Sequence, residues 1–598
     1  MDGSASPRGF LGVERSLRGL RWRERSGDAR LGLTLAQRLD VPEIVGRILA
    51  GRGVAESEAE RFLAPTLRDA LPDPLSFKGM EEAAARIVQA IKNGETIAIF
   101  GDYDVDGATS SALLKRFLEA VGGKVRVYIP DRQREGYGPN APALLKLKAD
   151  GAAITITVDC GVTAFAPLSA AADAGLDVIV VDHHVAEPSL PRALAVINPN
   201  RLDESGAHGN LAAVGVAFLL AVAVNRALRQ AGHYASRAEP DLMTLLDLVA
   251  LGTVCDVVPL TGINRALVAQ GLKVMRQRGN IGIAALADTA RLAERIDAYH
   301  AGFILGPRVN AGGRIGAADL GTRLLSTDDA IEARQIAVEL DRLNDERRQI
   351  EARVLDEAIT DVEAVGSKAP LVFVAKQGWH AGVIGIVASR LKERYGRPAL
   401  VAAIDDGIAK GSGRSVAGVA LGATIIAARQ AGLLINGGGH AMAAGFTVEA
   451  SKLDALRDFL EARIAEALDG QEPVPELGVD GALACAAATP DFAALIERMA
   501  PFGTGNAEPR FAFANLRVLR ATTVGKEQNH VSCVLGDGAG TGRIKAIAFR
   551  AFESALGPAL LQSQGAGFHV AGHVRADNWQ GREGVQLLID DAAPALGR

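Results

Sequence analysis

The chain is poor in cysteine, with four residues in 598. That number cannot form a disulfide scaffold across such a length. Cys160, Cys255, Cys485 and Cys533 make no C-x-x-C pair, so a thiolate zinc site is not expected either. Aromatic residues are scarce, at 5%. The longest uncharged apolar run, Leu211–Val224, is too short to span a bilayer and reads as a buried helix, so no membrane partner is expected. The N-terminal segment carries Arg8, Arg15, Arg18, Arg21, Arg23 and Arg25 but no apolar stretch, which argues against a secretory signal. Glu14 and Glu24 argue against a transit peptide, and an exposed N-terminal arm is expected. Positive charge is not in excess: the net charge of −5 gives no hint of a nucleic-acid partner.

What is present is ordinary globular material, 48% apolar and 23% charged, which excludes wholesale disorder. The length is roughly four ~150-residue domains, so several cores are expected. The 67 glycines suggest tight turns and small-residue packing. A cytoplasmic multidomain protein is the expectation from composition.

An N-terminal region is expected over 1–81, with helical segments Pro42–Leu49 and Ser57–Leu63 leading to the Pro-punctuated Pro65–Pro74. From residue 82 helix and strand alternate. Glu82–Lys92 reads as a helix, and Thr96–Phe100, Val125–Ile129, Ile154–Val158 and Asp177–Val181 read as short β-branched strands. Such runs are buried on both faces, as in a parallel sheet covered by helices, so an α/β domain is expected over 82–326. Residues 327–365 contain neither Gly nor Pro, and Ile336, Leu340, Leu343, Ile350 and Val354 form one stripe, predicting a long connecting helix over 327–366. Leu371–Ala375 and Ala399–Ile404 announce a second, smaller α/β domain over 367–470. Gln471–Leu477 reads as a linker. Beyond it, Phe511–Leu519, His530–Leu535, Ile544–Phe549, Phe568–Val574 and Val585–Ile589 predict an OB-like β-barrel over 471–598.

The chemistry gathers at the strand ends. Thr96–Phe100 runs into Gly-Asp102-Tyr-Asp104-Val-Asp106-Gly107, Ile154–Val158 ends in Asp159, and Asp177–Val181 ends in Asp182-His183-His184. Open α/β sheets bind ligands outside the carboxyl ends of their strands, so these groups should converge on one crevice. Any one Asp could be a helix N-cap. So many acids beside two histidines would repel one another and shift their pKa values upward unless one or two divalent cations compensated them. Asp and His donors without Cys favour Mn²⁺ or Mg²⁺. Asp256, set in the apolar stretch Val254–Leu260, is a further candidate ligand, because a lone buried acid is costly.

These residues resemble the successive motifs of the DHH phosphoesterase superfamily. Within it the chain is similar to the bacterial single-strand-specific 5′→3′ exonucleases, through "GDYDVDG", "EGYGPN", "VDHH", "INPN", "ALGTVCDVVPL", "GPRVNAGGRIGAA", "GWHAGVIGIVASRLKERYGRP", "KGSGRS", "GGGHAMAAGF" and "APFGTGNAEPRF". The resemblance implies a DHH catalytic domain, a DHHA1-like domain and two-metal phosphodiester hydrolysis releasing nucleoside 5′-monophosphates. It places one metal on each of Asp104 and Asp106, with Asp102 in support. It makes Asp159 the bridging carboxylate, lets His183 and Asp256 complete the second metal's shell, and sets His184 near the scissile phosphate. Where small-molecule members often have a His four residues before Asp104, this chain has Phe100, which implies a more weakly held first metal.

The resemblance further suggests that Ser412 and Arg414, with Arg132, hold a 5′-phosphate, while His380 and the Gly437–His440 run contact substrate. Arg308, Asn310 and Arg314 would line the strand path, and Tyr137 would offer a base-stacking surface. Lys526, Arg543, Lys545 and Arg550 would give the barrel its backbone contacts. A helicase and single-strand-binding protein are the implied partners of a monomeric enzyme in DNA repair and recombination. The alternative is a phosphodiesterase for short oligonucleotides or cyclic dinucleotides, although such enzymes generally need only the two α/β domains.

Overall fold

The computed structural model describes residues 8–25, 27–132, 134–293, 295–366, 369–469, 475–538, 540, 542–577 and 584–595. The chain divides into two compact units, residues 70–473 and residues 1–69 together with 474–598.

The arginine-rich segment folds into strand β1 (Arg21–Glu24), followed by helices Ala29–Leu39 and Glu43–Gly51. Asp28 starts the first helix, its carboxylate accepting from the amides of Arg30 and Leu31 at 2.8 and 3.1 Å.

In the unit of residues 70–473, helix Met80–Asn93 precedes five parallel strands: β2 (Thr96–Gly101), β3 (Lys124–Tyr128), β4 (Ala152–Val158), β5 (Asp177–Val181) and β6 (Ala195–Ile197). Their order is β3-β2-β4-β5-β6. β2, β4 and β5 are apolar because helices cover both faces. β3 departs from that expectation: it is the edge strand, and Lys124 and Arg126 lie exposed where a central strand would be buried. The short β6 was not anticipated, being only three residues long. The apolar run from Leu211 becomes helix Ala213–Gln230, largely buried in the protein.

The long helix spans Ala330–Val365, 36 residues, capped by Asp329. Its Ile336, Leu340 and Leu343 are buried. Val354 and Ala358 belong instead to the core of the second sheet, beside Val374, Val387 and Val401. That sheet consists of β7 (Val372–Gln377), β8 (Ala399–Asp405), β9 (Ile408–Arg414), β10 (Asn436–His440) and β11 (Ala443–Glu449), in the order β10-β11-β9-β8-β7. Only β7 and β8 run parallel. The glycine-rich segments are strands here, not turns. A Cβ on Gly411 would lie 2.0 Å from the Phe446 ring, and one on Gly439, whose φ is +154°, would lie 2.3 Å from the Ala443 carbonyl oxygen.

The other unit continues with β12 (Glu476–Val479), β13 (Gly481–Ala482), β14 (Phe511–Val524), β15 (His530–Asp537), β16 (Arg543–Ala548), β17 (Gly567–Asp577) and β18 (Gly584–Pro594). Pairing runs β14-β15-β16-β18-β17 and returns from β17 to β14, closing a five-stranded barrel. Glu476 and Leu477, expected in a linker, pair in β12 with β1, while residues 471–474 of that linker lie outside the described residues. The described residues 8–25 are therefore no exposed arm, with Val13, Ser16 and Trp22 buried. Leu35, Val45, Ile48 and Leu49 share one core with Phe511, Phe513, Val531 and Leu587 of the barrel. Trp22 is fully buried, and its indole N–H donates to Asp591 at 2.9 Å.

Trp22→Ala empties that site and leaves the buried Asp591 carboxylate short of a donor. Chemical denaturation should show the barrel-containing unit destabilised by roughly 3–5 kcal/mol; a change below ~1 kcal/mol would show the N-terminal strand to be dispensable to the barrel.

Candidate metal centre and active site

Each acid arrives at the crevice by a different local device. After β2, Asp104 caps helix Val105–Ala120 by accepting from the Gly107 amide at 3.1 Å. Asp106, in that helix's first turn, is almost wholly buried. Its two oxygens accept from the amides of Ala213 and Val214 at 2.7 and 2.8 Å, at the N-terminus of helix Ala213–Gln230, where unpaired N–H groups favour an anion. Asp159 follows β4 with φ +60°, and the Tyr137 hydroxyl donates to its carbonyl oxygen at 2.9 Å. Asp256 closes helix Leu246–Cys255.

After β5, Asp182 accepts from the amides of Val162, His183 and His184 at 3.0, 2.8 and 3.2 Å, and its Oδ1 lies 2.7 Å from Nδ1 of His184. Asp182 thus sets the turn and orients His184. Asn198 and Asn200 hold the same turn from outside, donating to the carbonyls of His184 and His183 at 2.8 and 2.5 Å. Neither asparagine was given a role from the sequence, though the Asn-Pro-Asn run was its visible signal.

The convergence is close. Nε2 of His183 lies 3.3 Å from Asp159 Oδ1, 3.6 Å from Asp256 Oδ2 and 3.9 Å from Asp106 Oδ2. Three sets of potential ligand atoms each fall within 4.8 Å of one another: Asp102, Asp104 and Asp159; Asp106, His183 and Asp256; Asp159, His183 and His184. Asp159 recurs in two of them. Among the described residues, Asp102 Oδ1, Asp159 Oδ1, His183 Nε2 and Asp256 Oδ2 are buried without a hydrogen-bond partner. Buried polar atoms are normally paired, so orphans aimed into one acidic space fit divalent cations. Phe100, four residues before Asp104, is buried and stacks on Tyr128, so no ligand stands there.

The proton affinities agree. Burial, then the charge of Asp104, pushes the Asp106 carboxyl up to about 7. Burial, then Asp106 and Asp104, pushes Asp256 up to about 9. Asp102 and Asp159 are raised for the same reasons. Burial and neighbouring His184 lower His183 to about 4, which leaves a neutral imidazole suited to ligation. His184 behaves oppositely: burial opposes its charge, but the Asp182 hydrogen bond and carboxylate win and raise it to about 9. Asp182 is held below the usual carboxylate range although burial pushes it up, chiefly by His184.

The basic candidates are placed differently from one another. Arg132 lies over the Tyr103 ring, 5.1 Å from its centroid. Arg308, expected to line a strand path, has its guanidinium tied to Asp341 at 2.8 Å and to the Ile304 carbonyl at 2.7 Å. Arg314 donates to the Gly382 carbonyl at 2.8 Å, joining helix Gly306–Ile315 to the loop of His380. Both arginines thus brace structure. Asn310 sits half-buried on that helix. His380 accepts from the Gly382 amide at 3.0 Å. Ser412 and Arg414 are bonded to each other at 3.1 Å on β9, and a Cβ on Gly385, in the first turn of helix Ile384–Tyr395, would lie 3.1 and 3.3 Å from them. Register aligns His440 with Ala443 and Ala443 with Arg414, so His440 and Arg414 share a row across the sheet. Tyr137 is 53% exposed with its hydroxyl anchored, and meets His184 edge-on at 5.9 Å.

A parallel sheet with Asp-rich strand ends and an Asp-His-His turn defines a DHH-type protein. The sequence matches the DHH family, N-terminal domain over residues 96–253, the DHHA1 domain over 368–466 and the RecJ OB domain over 479–591. It is 36% identical over 581 residues to the single-stranded-DNA-specific exonuclease RecJ of Bacillus subtilis, covering 96% of this chain and 71% of that protein. Against the Dickeya dadantii protein of the same description it is 37% identical over 567 residues, covering 93% and 96%. The crystal structure of RecJ in complex with Mn²⁺ from Thermus thermophilus aligns with a TM-score of 0.80 at 30% identity, covering 96% of this chain and 79% of that one. The chain belongs to the RecJ family.

The raised acids allow a test without substrate. A carboxyl whose folded pKa lies above its unfolded value stabilises the fold fully below the unfolded pKa, and the contribution is lost as pH rises through the folded pKa. The metal-free protein should therefore lose stability from about pH 4 upward through about 7 and about 9, the values of Asp106 and Asp256. Metal binding must displace those protons, so the rise in Tm on adding Mn²⁺ should be larger at about pH 8.5 than at about pH 6. Equal shifts at both, read by calorimetry, would contradict the proton-linked site.

Proposed function

We propose that the chain is a single-strand-specific 5′→3′ DNA exonuclease that releases nucleoside 5′-monophosphates. The observation that carries this is the cluster of orphaned acids and His183 at the strand ends, in a chain of the RecJ family. The catalytic work belongs to residues 82–326, joined by the connecting helix 327–366 to a substrate-holding domain, 367–470. The barrel domain, 471–598, guides the strand.

The residues fit two Mn²⁺ or Mg²⁺ ions, the cations named for solved RecJ structures. Asp102 and Asp104 would hold one, Asp106, His183 and Asp256 the other, and Asp159 would stand between them. When bound, such a pair lowers the pKa of water and stabilises the charge that develops in the displacement. The chain's own residues do the rest. His184, oriented by its bond to Asp182, would donate to a non-bridging oxygen of the scissile phosphate, where negative charge grows. Ser412, Arg414 and Arg132, with His380 and His440 near the same face, receive the 5′-phosphate through charge-assisted hydrogen bonds. Tyr137, its hydroxyl fixed on Asp159, presents its ring to the terminal base. A monomer working in the cytoplasm beside a helicase and single-strand-binding protein, in DNA repair and recombination, completes the reading.

Asp159→Ala should abolish Mn²⁺-dependent hydrolysis of a 5′-phosphorylated single strand while leaving the circular dichroism spectrum unchanged. Turnover at the wild-type rate in that variant would refute the central position of Asp159. A wild-type preference for a dinucleotide over a long single strand would instead favour a short-oligonucleotide phosphodiesterase.

A further inference from the structure

Two exposed aromatic rings without a part in the mechanism above lie on the segment that packs against the helix ending at Asp256. Tyr299 is 56% exposed and Phe303 68%. They stack on each other, with centroids 5.2 Å apart and planes at 27°. They occupy an unusual backbone: a helical turn, Ala298–His300, passes into a π-helical turn, Ala301–Leu305, before helix Gly306–Ile315 begins. Single π turns within helices are frequent at functional sites.

The inner face of this segment locates the rings. Ala301, Leu305 and Gly306 are buried. The Cys255 thiol lies 3.5 Å from the Ala301 carbonyl oxygen, a Cβ on Gly302 would lie 3.2 Å from Val254, and one on Gly306 would lie 2.3 Å from the Cys255 sulfur. Residues 301–306 therefore sit on the last turn of the helix that ends in Asp256, and this segment carries Tyr299 and Phe303 on its exposed side. Val257, next after Asp256, is 65% exposed and adopts φ +62°, a strained conformation for a β-branched residue.

Helix Gly306–Ile315 then runs on past the crevice. At its far end a Cβ on Gly313 would lie 2.5 Å from the carbonyl oxygen of Tyr103, between Asp102 and Asp104. Arg132 covers that tyrosine, and Arg314 reaches the loop of His380. One end of the helix thus borders the basic groups proposed for the 5′-phosphate, and the other borders Asp256, Val257 and the aromatic pair. A strand entering with its 5′-phosphate at the basic end and its scissile bond at the acids leaves past the aromatic end.

We propose that Tyr299 and Phe303 form a stacking platform for bases from the second nucleotide 3′ of the scissile phosphate onward. Every base has a π-face, so such a platform grips a strand without reading its sequence. The two rings hold each other in place before substrate arrives, which reduces the ordering cost of binding. The inference rests on the single-strand exonuclease reading.

The test compares Tyr299→Ala, Phe303→Ala, Phe303→Leu and Phe303→Trp in the full chain with Mn²⁺. Substrates are a 5′-phosphorylated oligodeoxythymidylate of about 20 nucleotides and the 5′-phosphorylated dinucleotide, which is too short to reach the platform. Each Ala variant, and Phe303→Leu, should raise KM for the long strand roughly ten-fold, with kcat/KM for the dinucleotide within about two-fold of wild type. Phe303→Trp should keep long-strand KM near the wild-type value. In the Asp159→Ala background, 2-aminopurine placed at the second or third nucleotide 3′ of the scissile bond should be quenched on binding, and Phe303→Leu should abolish the quenching. Equal losses on both substrates, unchanged KM on the long strand, or no quenching in the parent variant would overturn the platform. A wild-type enzyme inactive on any single strand would overturn the functional reading itself, a distinct result.

Discussion

Mutual repulsion among buried carboxylates is the constraint on which this structure depends. Asp102, Asp106, Asp159 and Asp256 all have raised proton affinities because burial and one another's charge disfavour ionisation. A fold that forces them together without counter-charge would be protonated at neutral pH and chemically idle. Two divalent cations would offset most of that negative charge and let a phosphate approach. The net charge of −5 is therefore no argument against a nucleic-acid substrate, because the sign that matters is local.

The surrounding architecture serves that concentration. Parallel strands bring three separate sequence segments to one edge. Two backbone amides of helix Ala213–Gln230 steady Asp106. Asp182 accepts three amides and orients His184, so the two adjacent histidines shift in opposite directions, His183 down to about 4 and His184 up to about 9. The 36-residue helix contributes to the cores on both sides of it, which couples the acidic crevice to the sheet bearing Ser412 and Arg414 through a rigid element rather than a linker.

Much of this was legible in the sequence because it rests on short-range signals. β-branched runs marked β2, β4 and β5, the Gly- and Pro-free stretch marked the long helix, and alternating apolar patterns marked the five barrel strands. The acids were readable because strand ends are where such sheets place ligands. What escaped depended on tertiary contacts. β9, β10 and β11 were hidden because their glycines fit against rings and neighbouring backbone rather than forming turns. The N-terminal arginines looked like a solvated arm, yet Trp22 anchors that segment in the barrel unit and Arg25 pairs with Asp480. Arg308 and Arg314 read from the sequence as groups along a strand path, and the partners that also hold them, Asp341 and the Gly382 carbonyl, lie 33 and 68 residues away in sequence.

The most direct measurement is anomalous scattering from crystals of the chain grown with Mn²⁺. Two manganese peaks about 4 Å apart are expected in the crevice, with Asp159 between them, as two-metal displacement requires. A single peak, or manganese bound away from Asp159, would contradict this arrangement.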